Sequence, residues 1–281
     1  MYFSHLMGQI HCIETMDEEE LQQQLTAFFN EPVEVYGQSF AKGVVPTIKY
    51  RFRSAIRYEM EYDIYNKTSA VVSGDQAVIT EVERGLHAVL VADGMGTGQV
   101  AREQSKQLLY LLRQCMQYQL SPDFILLTLQ YLLNPLVQDS YATLDLLIYD
   151  LKNGQLFVWK TGSTATYIVR GDQLITIESR TAPLGTLQQQ TNAEKVQLLA
   201  GDYVFILTDG MFESELYEEQ ESFLQQQLIR HANHDWSLAT ILYEVMESFK
   251  NRYNVTDDVT FIATKIEHVQ HQWTAVKYNV K

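Results

Sequence analysis

Hydrophobic and polar positions change period several times along the chain, and each change marks an element. Residues 18–29 make a short amphipathic stretch, followed by Pro32, Gly37, Gly43 and Pro46 in quick succession. This reads as an N-terminal extension or linker over residues 1–45. From Lys49 the alternation Tyr50, Phe52, Ser54, Ile56, Tyr58, Met60 has the period of two of a half-buried strand. The main domain is therefore expected over 46–268, leaving 269–281 as a tail. Strands follow at 76–83 and 86–92, the second an almost unbroken apolar run of the kind buried on both faces.

After Gly98 the period lengthens. Ala101, Ser105, Leu108, Leu112 and Cys115 recur at steps of four and three, as do Ile125, Leu129, Leu132 and Leu136, so two amphipathic helices are predicted, split at Ser121-Pro122. A second strand-rich block covers 142–151, 155–161, 165–169 and 173–178. Asn153-Gly154 between apolar runs predicts a type I′ hairpin turn, because both central residues of that turn take positive φ. A buried strand at 203–207, helices at 213–229 and 237–249 and a last strand at 259–266 complete the pattern. Strands joined by hairpins, with helices inserted in blocks, predict an α+β fold: an antiparallel β-sandwich flanked by helices.

Charge narrows the partners. The formal net charge of −14 over 281 residues repels nucleic acid and anionic membrane surfaces and favours a cation or a neutral-to-basic protein surface. Cys12 and Cys115 are the only cysteines and are far apart, which argues against a disulfide framework and for a reducing, cytoplasmic compartment. The most apolar stretch, 124–137, is interrupted by Gln130, Asn134 and Pro135 and falls short of the roughly 18 residues of a spanning helix. No membrane segment is expected within the chain, and the opening 16 residues lack the basic start and apolar centre of a signal peptide.

Four aspartates sit at strand ends. Ser73-Gly74-Asp75 precedes a strand, Asp93-Gly94-Met95-Gly96 follows one, Thr208-Asp209-Gly210 follows another, and Thr256-Asp257-Asp258 opens the last. Each Asp-Gly or Gly-Asp pair alone is ordinary turn chemistry. Together, two apolar-strand-Asp-Gly elements and an Asp-Asp pair entering a strand share no reason in turn chemistry. A carboxylate at the end of a rigid strand is held firmly, and a following glycine lets the backbone turn beside a ligand. Such oxygen donors suit Mg²⁺ or Mn²⁺.

The order Ser-Gly-Asp, Asp-Gly-Met-Gly-x-Gly, Thr-Leu-Asp, Gly-Ser-Thr, Thr-Asp-Gly and Asp-Asp-Val-Thr, over residues 70–266, resembles the PPM (type 2C) phosphatases, in the stage II sporulation protein E branch. The match also runs through Tyr141 to Asp145, Gly162-Ser163-Thr164, Arg170 to Gln173 and Ala182 to Gly185. The resemblance implies layers in the order α-β-β-α and a two-metal centre of Mn²⁺ or Mg²⁺ at one end. Asp93 would bridge both ions, with Asp75 and the Gly94 carbonyl completing one and Asp209 and Asp257 the other. It further implies hydrolysis of phosphoserine or phosphothreonine by metal-activated water, on a phosphorylated STAS-type anti-sigma-factor antagonist in sporulation or a related partner-switching pathway. Asp258 falls where relatives often carry Asn.

Two departures stand out. Met95 occupies the position where many eukaryotic relatives place a histidine as candidate general acid, and it has no proton to donate. The segment 58–72 lacks the glycine-rich run usual in this branch. The alternatives to a protein phosphatase are a catalytically silent binding module of the same fold, and a two-metal hydrolase of small phosphate esters. Intact clustering of four mutually repelling carboxylates favours activity, since a silent module has no need of it.

Other polar residues read as structural. His231 with His234, and His268 with His271, are each three apart but lie in a helix-helix loop and beyond the last strand; His87 leads into the strand carrying Asp93. Arg102 and Lys106 are one turn apart on the helix after the Asp93 loop and are expected on a solvated face. That helix pair, 99–133, joins the Asp93 loop directly and is a candidate regulatory lever.

Overall fold

A computed structural model of the chain describes residues 6–41, 46–69, 72–94, 98–133, 141–186 and 191–269, with side chains excepted at 132–133. The first elements are β1 (Met7–Cys12), α1 (Glu18–Phe29), β2 (Val33–Ala41) and β3 (Thr47–Ser54). Then come β4 (Tyr58–Lys67), β5 (Asp75–Glu83), β6 (Leu86–Gly94), α2 (Gln99–Gln117) and α3 (Pro122–Leu133). The second strand block is β7 (Ala142–Asp150), β8 (Gln155–Thr161), β9 (Thr166–Arg170), β10 (Gln173–Ile177), β11 (Glu194–Gln197) and β12 (Tyr203–Leu207). The described chain closes with α4 (Tyr217–Ala232), α5 (Leu238–Lys250) and β13 (Val259–His268).

Two five-stranded antiparallel sheets, in the orders β10-β9-β12-β13-β4 and β11-β8-β7-β6-β5, form a sandwich. Val89, Val91, Leu147, Ile168, Val204, Ile206 and Ile262 fill the space between them. Helices α2 and α3 bury Leu108, Leu112, Ile125 and Leu129 against the outer face of the β7-β6 sheet. Helices α4 and α5 bury Leu224, Leu228, Ile241 and Phe249 against the other. The layers run α-β-β-α, as expected of an antiparallel sandwich flanked by helices. Among the described residues no helix is long and apolar enough to cross a membrane.

The N-terminal region differs from its sequence reading. It is no mere linker: β1, β3 and β2 pair as a three-stranded antiparallel sheet covered by α1. Leu21, Leu25, Val33, Ile48, Tyr50 and Phe52 form its own small core. The Asp17 carboxylate caps α1 by accepting from the Glu20 amide at 3.0 Å, and Asn30 ends it in the left-handed region at φ 52°. The alternation read as one strand over residues 50–60 divides between two sheets. At the division Ala55 N donates to Pro32 O, and the amides of Arg57 and Tyr58 both donate to Leu151 O. Alternation continues through this crossing, so a period of two cannot reveal which sheet each half joins. In β2 a register shift between Val35 and Gly37 breaks the alternation and hides the strand.

Asn153-Gly154 also departs from its reading. The connection between β7 and β8 has four residues, Gly154 has φ 66°, and Asn153 is not among the positive-φ residues. Asp150 takes over the turn by accepting from the Lys152 amide at 3.0 Å and from Asn153 Nδ2 at 2.9 Å.

Candidate metal centre

All four predicted aspartates lie at one end of the sandwich, two from each sheet. Asp75 opens β5 and Asp93 lies near the end of β6, where the two residues pair directly across the strands. In the other sheet Asp209 starts a single 3-10 turn just past β12, and Asp257 stands two residues before β13. The glycines have separate reasons. A Cβ on Gly210 would fall 1.8 Å from the Asp258 carbonyl, so only glycine lets the Asp209 turn lie against the Asp257-Asp258 backbone. A Cβ on Gly94 would meet the Ala101 carbonyl at 2.6 Å and Ser105 Oγ at 2.7 Å, so α2 rests directly on the end of β6.

Burial and like charge act together here. Burial, and then the charges of Asp75, Asp209 and Asp257, push the Asp93 carboxyl up to about 9. Burial raises Asp75 to about 6, against hydrogen bonds including that of Thr208. Among the described residues, no three His, Cys, Asp or Glu side chains are gathered closely enough to hold a metal ion. The donor set is all oxygen, the chemistry that hard divalent cations take.

Three polar side chains beside the aspartates escaped the sequence reading as supports of the site. Thr208 Oγ1 donates to Asp75 Oδ2 at 2.7 Å and accepts from the Thr260 amide at 2.9 Å. The Asp258 carboxylate accepts from the Ser69 amide at 2.6 Å, Ser69 Oγ at 2.7 Å and the Gly74 amide at 3.0 Å. Burial opposes its ionisation, but these bonds outweigh burial and hold Asp258 below the usual carboxylate range. Asp258 thus anchors the connection leading to Asp75. The position of Thr208 immediately before Asp209-Gly210 was the one available signal for it; nothing in the sequence linked Ser69 to Asp258.

Residues of the motifs 141–145, 162–164 and 182–185 form a largely buried scaffold with Lys160, whereas Arg170 pairs with Asp202 at the other end of β12. Lys160 Nζ donates to Asp145 Oδ1 at 2.6 Å and to Thr166 Oγ1 at 2.8 Å, and Ser163 Oγ donates to Asp145 as well. Ala142 and Leu184 exchange backbone hydrogen bonds at 3.2 and 2.9 Å. Thr164 Oγ1 donates to the Leu207 carbonyl, one residue from Thr208. A cavity of about 510 Å³ opens next to Asp257, lined by Gly210, Phe212, Glu213, Asn254 and Thr256 among others.

Among the described residues the histidine candidates lie away from this end, whereas Arg102 and Lys106 adjoin Ala101 and Ser105, which meet Gly94. His87 is at the opposite end of β6, with Nε2 3.9 Å from Glu81. Arg102 and Lys106 are exposed on α2. His231 is buried on the last turn of α4 and stacks on Trp236, and His268 stacks on Tyr58. Met95 and His271 lie outside the described residues.

The architecture is that of the PPM phosphatases. It superposes, with a TM-score of 0.76 and 22% identity, on a solved structure of the PP2C phosphatase domain and a fragment of the regulatory domain of SpoIIE from Bacillus subtilis, covering 96% of this chain and 82% of that one. The family described as Stage II sporulation protein E (SpoIIE) matches residues 83–267, and the chain belongs to it. It is 26% identical to Stage II sporulation protein E of Priestia megaterium over 283 aligned residues, which span 98% of this chain and 47% of that protein. It is 28% identical to the Bacillus subtilis (strain 168) protein of the same name over 215 residues, 75% of this chain and 26% of that protein. The chain therefore spans less than half the length of these relatives.

Proposed function

We propose that this chain is a metal-dependent serine/threonine protein phosphatase whose centre is formed by Asp75, Asp93, the Gly94 carbonyl, Asp209 and Asp257. The single observation that carries the reading is the placement of Asp75 opposite Asp93, with the charges of Asp209 and Asp257 acting on the same carboxyl. Such crowding costs stability unless a cation offsets it. Two Mn²⁺ or Mg²⁺ ions held by these residues would activate water for attack near neutral pH and offset charge on the phosphoryl group.

The chain's own part is positioning. Asp93 is central to the ligand set, Asp75 reaches it from the neighbouring strand, and Asp209 and Asp257 face it from the other sheet. The cavity beside Asp257 gives a phosphorylated side chain room to approach, and its lining residue Glu213 favours a substrate segment without excess negative charge. Family membership supports a phosphoprotein substrate, and resemblance to the branch points to a phosphorylated STAS-type anti-sigma-factor antagonist.

The test is release of phosphate by the purified chain from a serine-phosphorylated STAS protein, with Mn²⁺, with Mg²⁺ and with chelator. Turnover with metal and none with chelator is expected. Turnover unchanged by chelator refutes metal dependence, and no turnover with Mn²⁺ visibly bound assigns the chain to a silent binding module.

A further inference from the structure

We infer that Thr208 is a positioning residue that ties together the two halves of the carboxylate cluster, each half carried by a different sheet. The inference rests on reading that cluster as a metal centre. Asp75 and Asp93 belong to the β5-β6 side, Asp209 and Asp257 to the β12-β13 side, and no strand pairing joins β5 or β6 to β12 or β13. The core between the sheets sets their spacing, and at this end side-chain bonds, among them Gly74 N to Asp258, fix how the two halves face each other.

Thr208 crosses that gap. It immediately precedes Asp209, it is buried, and its Oγ1 lies 2.7 Å from Asp75 Oδ2 in the opposite sheet. The direction of this bond is settled by a second one. The Thr260 amide, 2.9 Å from the same oxygen, can only donate, so the single hydroxyl proton of Thr208 is turned to Asp75. Thr208 is itself firmly mounted, since its own amide donates to the Thr260 carbonyl at 3.0 Å. One strand end thus presents Asp209 and, one residue earlier, fixes the rotamer of Asp75. Oδ2 of Asp75 is committed to the Thr208 hydroxyl, and Asp93 and Thr260 also bond the Asp75 carboxyl.

A purely structural threonine would serve only the Thr260 amide. The two roles separate in the choice of variant. Thr208→Ser keeps the directed hydroxyl. Thr208→Val keeps the shape and removes it, and Thr208→Ala serves the same arm should the valine variant not fold. Loss of a group that orients a metal ligand typically weakens metal affinity by about 10–100-fold.

The experiment measures Mn²⁺ affinity of the full chain by titration calorimetry, beside kcat and KM for p-nitrophenyl phosphate across a Mn²⁺ series. The serine variant is expected to stay within about threefold of wild type, and the valine variant to bind Mn²⁺ at least about tenfold more weakly. Folded valine variant that binds Mn²⁺ as wild type does overturns the inference. A double-mutant cycle on metal-free protein, Thr208→Val with Asp75→Ala, keeps this separate from the metal reading. Non-additive unfolding equilibria, coupled by about fivefold or more, are expected for bonded partners. Additivity overturns the tie. Wild-type protein that takes up no Mn²⁺ refutes the metal centre instead, whatever the cycle gives.

Discussion

Asp75 and Asp93 are direct cross-strand partners, two carboxylates set opposite each other where β5 begins and β6 ends. Like charges in that relation weaken an antiparallel pair, and here burial and the charges of Asp209 and Asp257 add to the conflict at Asp93. Asp93→Asn removes one member of the set at nearly constant shape. Metal-free Asp93→Asn protein should melt no lower than metal-free wild type, and up to about 4 °C higher, on the scale of a cross-strand pair of 0.2–1 kcal/mol. Saturating Mn²⁺ should raise the melting temperature of wild type and leave the variant unmoved, with phosphatase turnover lost. Marked unfolding of the metal-free variant would assign Asp93 a structural role.

Asp258 is expected to matter through the chain segment it anchors. It accepts three hydrogen bonds from Ser69 and Gly74, and an ionised carboxylate is suited to that because it is an acceptor only. Asp258→Ala leaves these donors unmatched at a cost of about 1–3 kcal/mol. Asp258→Asn can accept at only one of its two terminal atoms, so it should fall between. Urea titrations of metal-free protein check the order wild type, Asn, Ala. Equal stability of all three would remove the anchoring role.

The sandwich and its helices were legible because periodicity reports burial directly: β6, β12 and β13 are apolar on both faces, and α2 repeats its buried positions at steps of three and four. The position of the four aspartates at strand ends was legible because each adjoins an apolar, strand-like run. The small N-terminal sheet was not, because alternation through residues 50–60 is shared by two sheets, and because a bulge at Val35/Gly37 breaks β2. Strand β11, Glu194 to Gln197, is an edge strand with alternating exposure and little apolar content, and so gave no pattern. Thr208 to Asp75 and Ser69 to Asp258 are contacts across 133 and 189 positions, which no local pattern encodes.

The buried pair Lys160–Asp145 makes an asymmetric prediction. Both side chains are almost fully buried, and burial works against the charge on Lys160 while Asp145 sustains it. Removing one partner strands the other, so Lys160→Met should cost about 3–5 kcal/mol, whereas Lys160→Met with Asp145→Leu should recover much of it. Chemical denaturation of the two variants against wild type is the measurement. A double variant no more stable than the single one would show that Ser163 and Thr166, which also bond this pair, carry the larger share.

The seating of α2 should be felt at the proposed metal centre. The contact is tight where it matters: a Cβ on Gly94 would press on the Ala101 carbonyl and Ser105 Oγ, and Gly94 adjoins Asp93. A small shift of α2 therefore displaces the end of β6, the strand carrying the proposed bridging carboxylate and carbonyl ligand. Leu108 and Leu112 are buried on the face of α2 that packs on the sheet. Replacing either with Met keeps volume and apolarity and should cost under about 1.5 kcal/mol. If α2 acts as a lever, some of these mild changes alter Mn²⁺ affinity or kcat by about tenfold in either direction, the size expected when the support of a metal ligand moves, in protein that stays folded. Gly94→Ala, which forces the contact open, should lie at the damaging extreme. The check is Mn²⁺ titration of activity over the panel with thermal melts beside it. Activity that follows stability along one line for every variant would reduce α2 to ordinary packing. A single folded variant well off that line would establish that the helix sets the state of the centre.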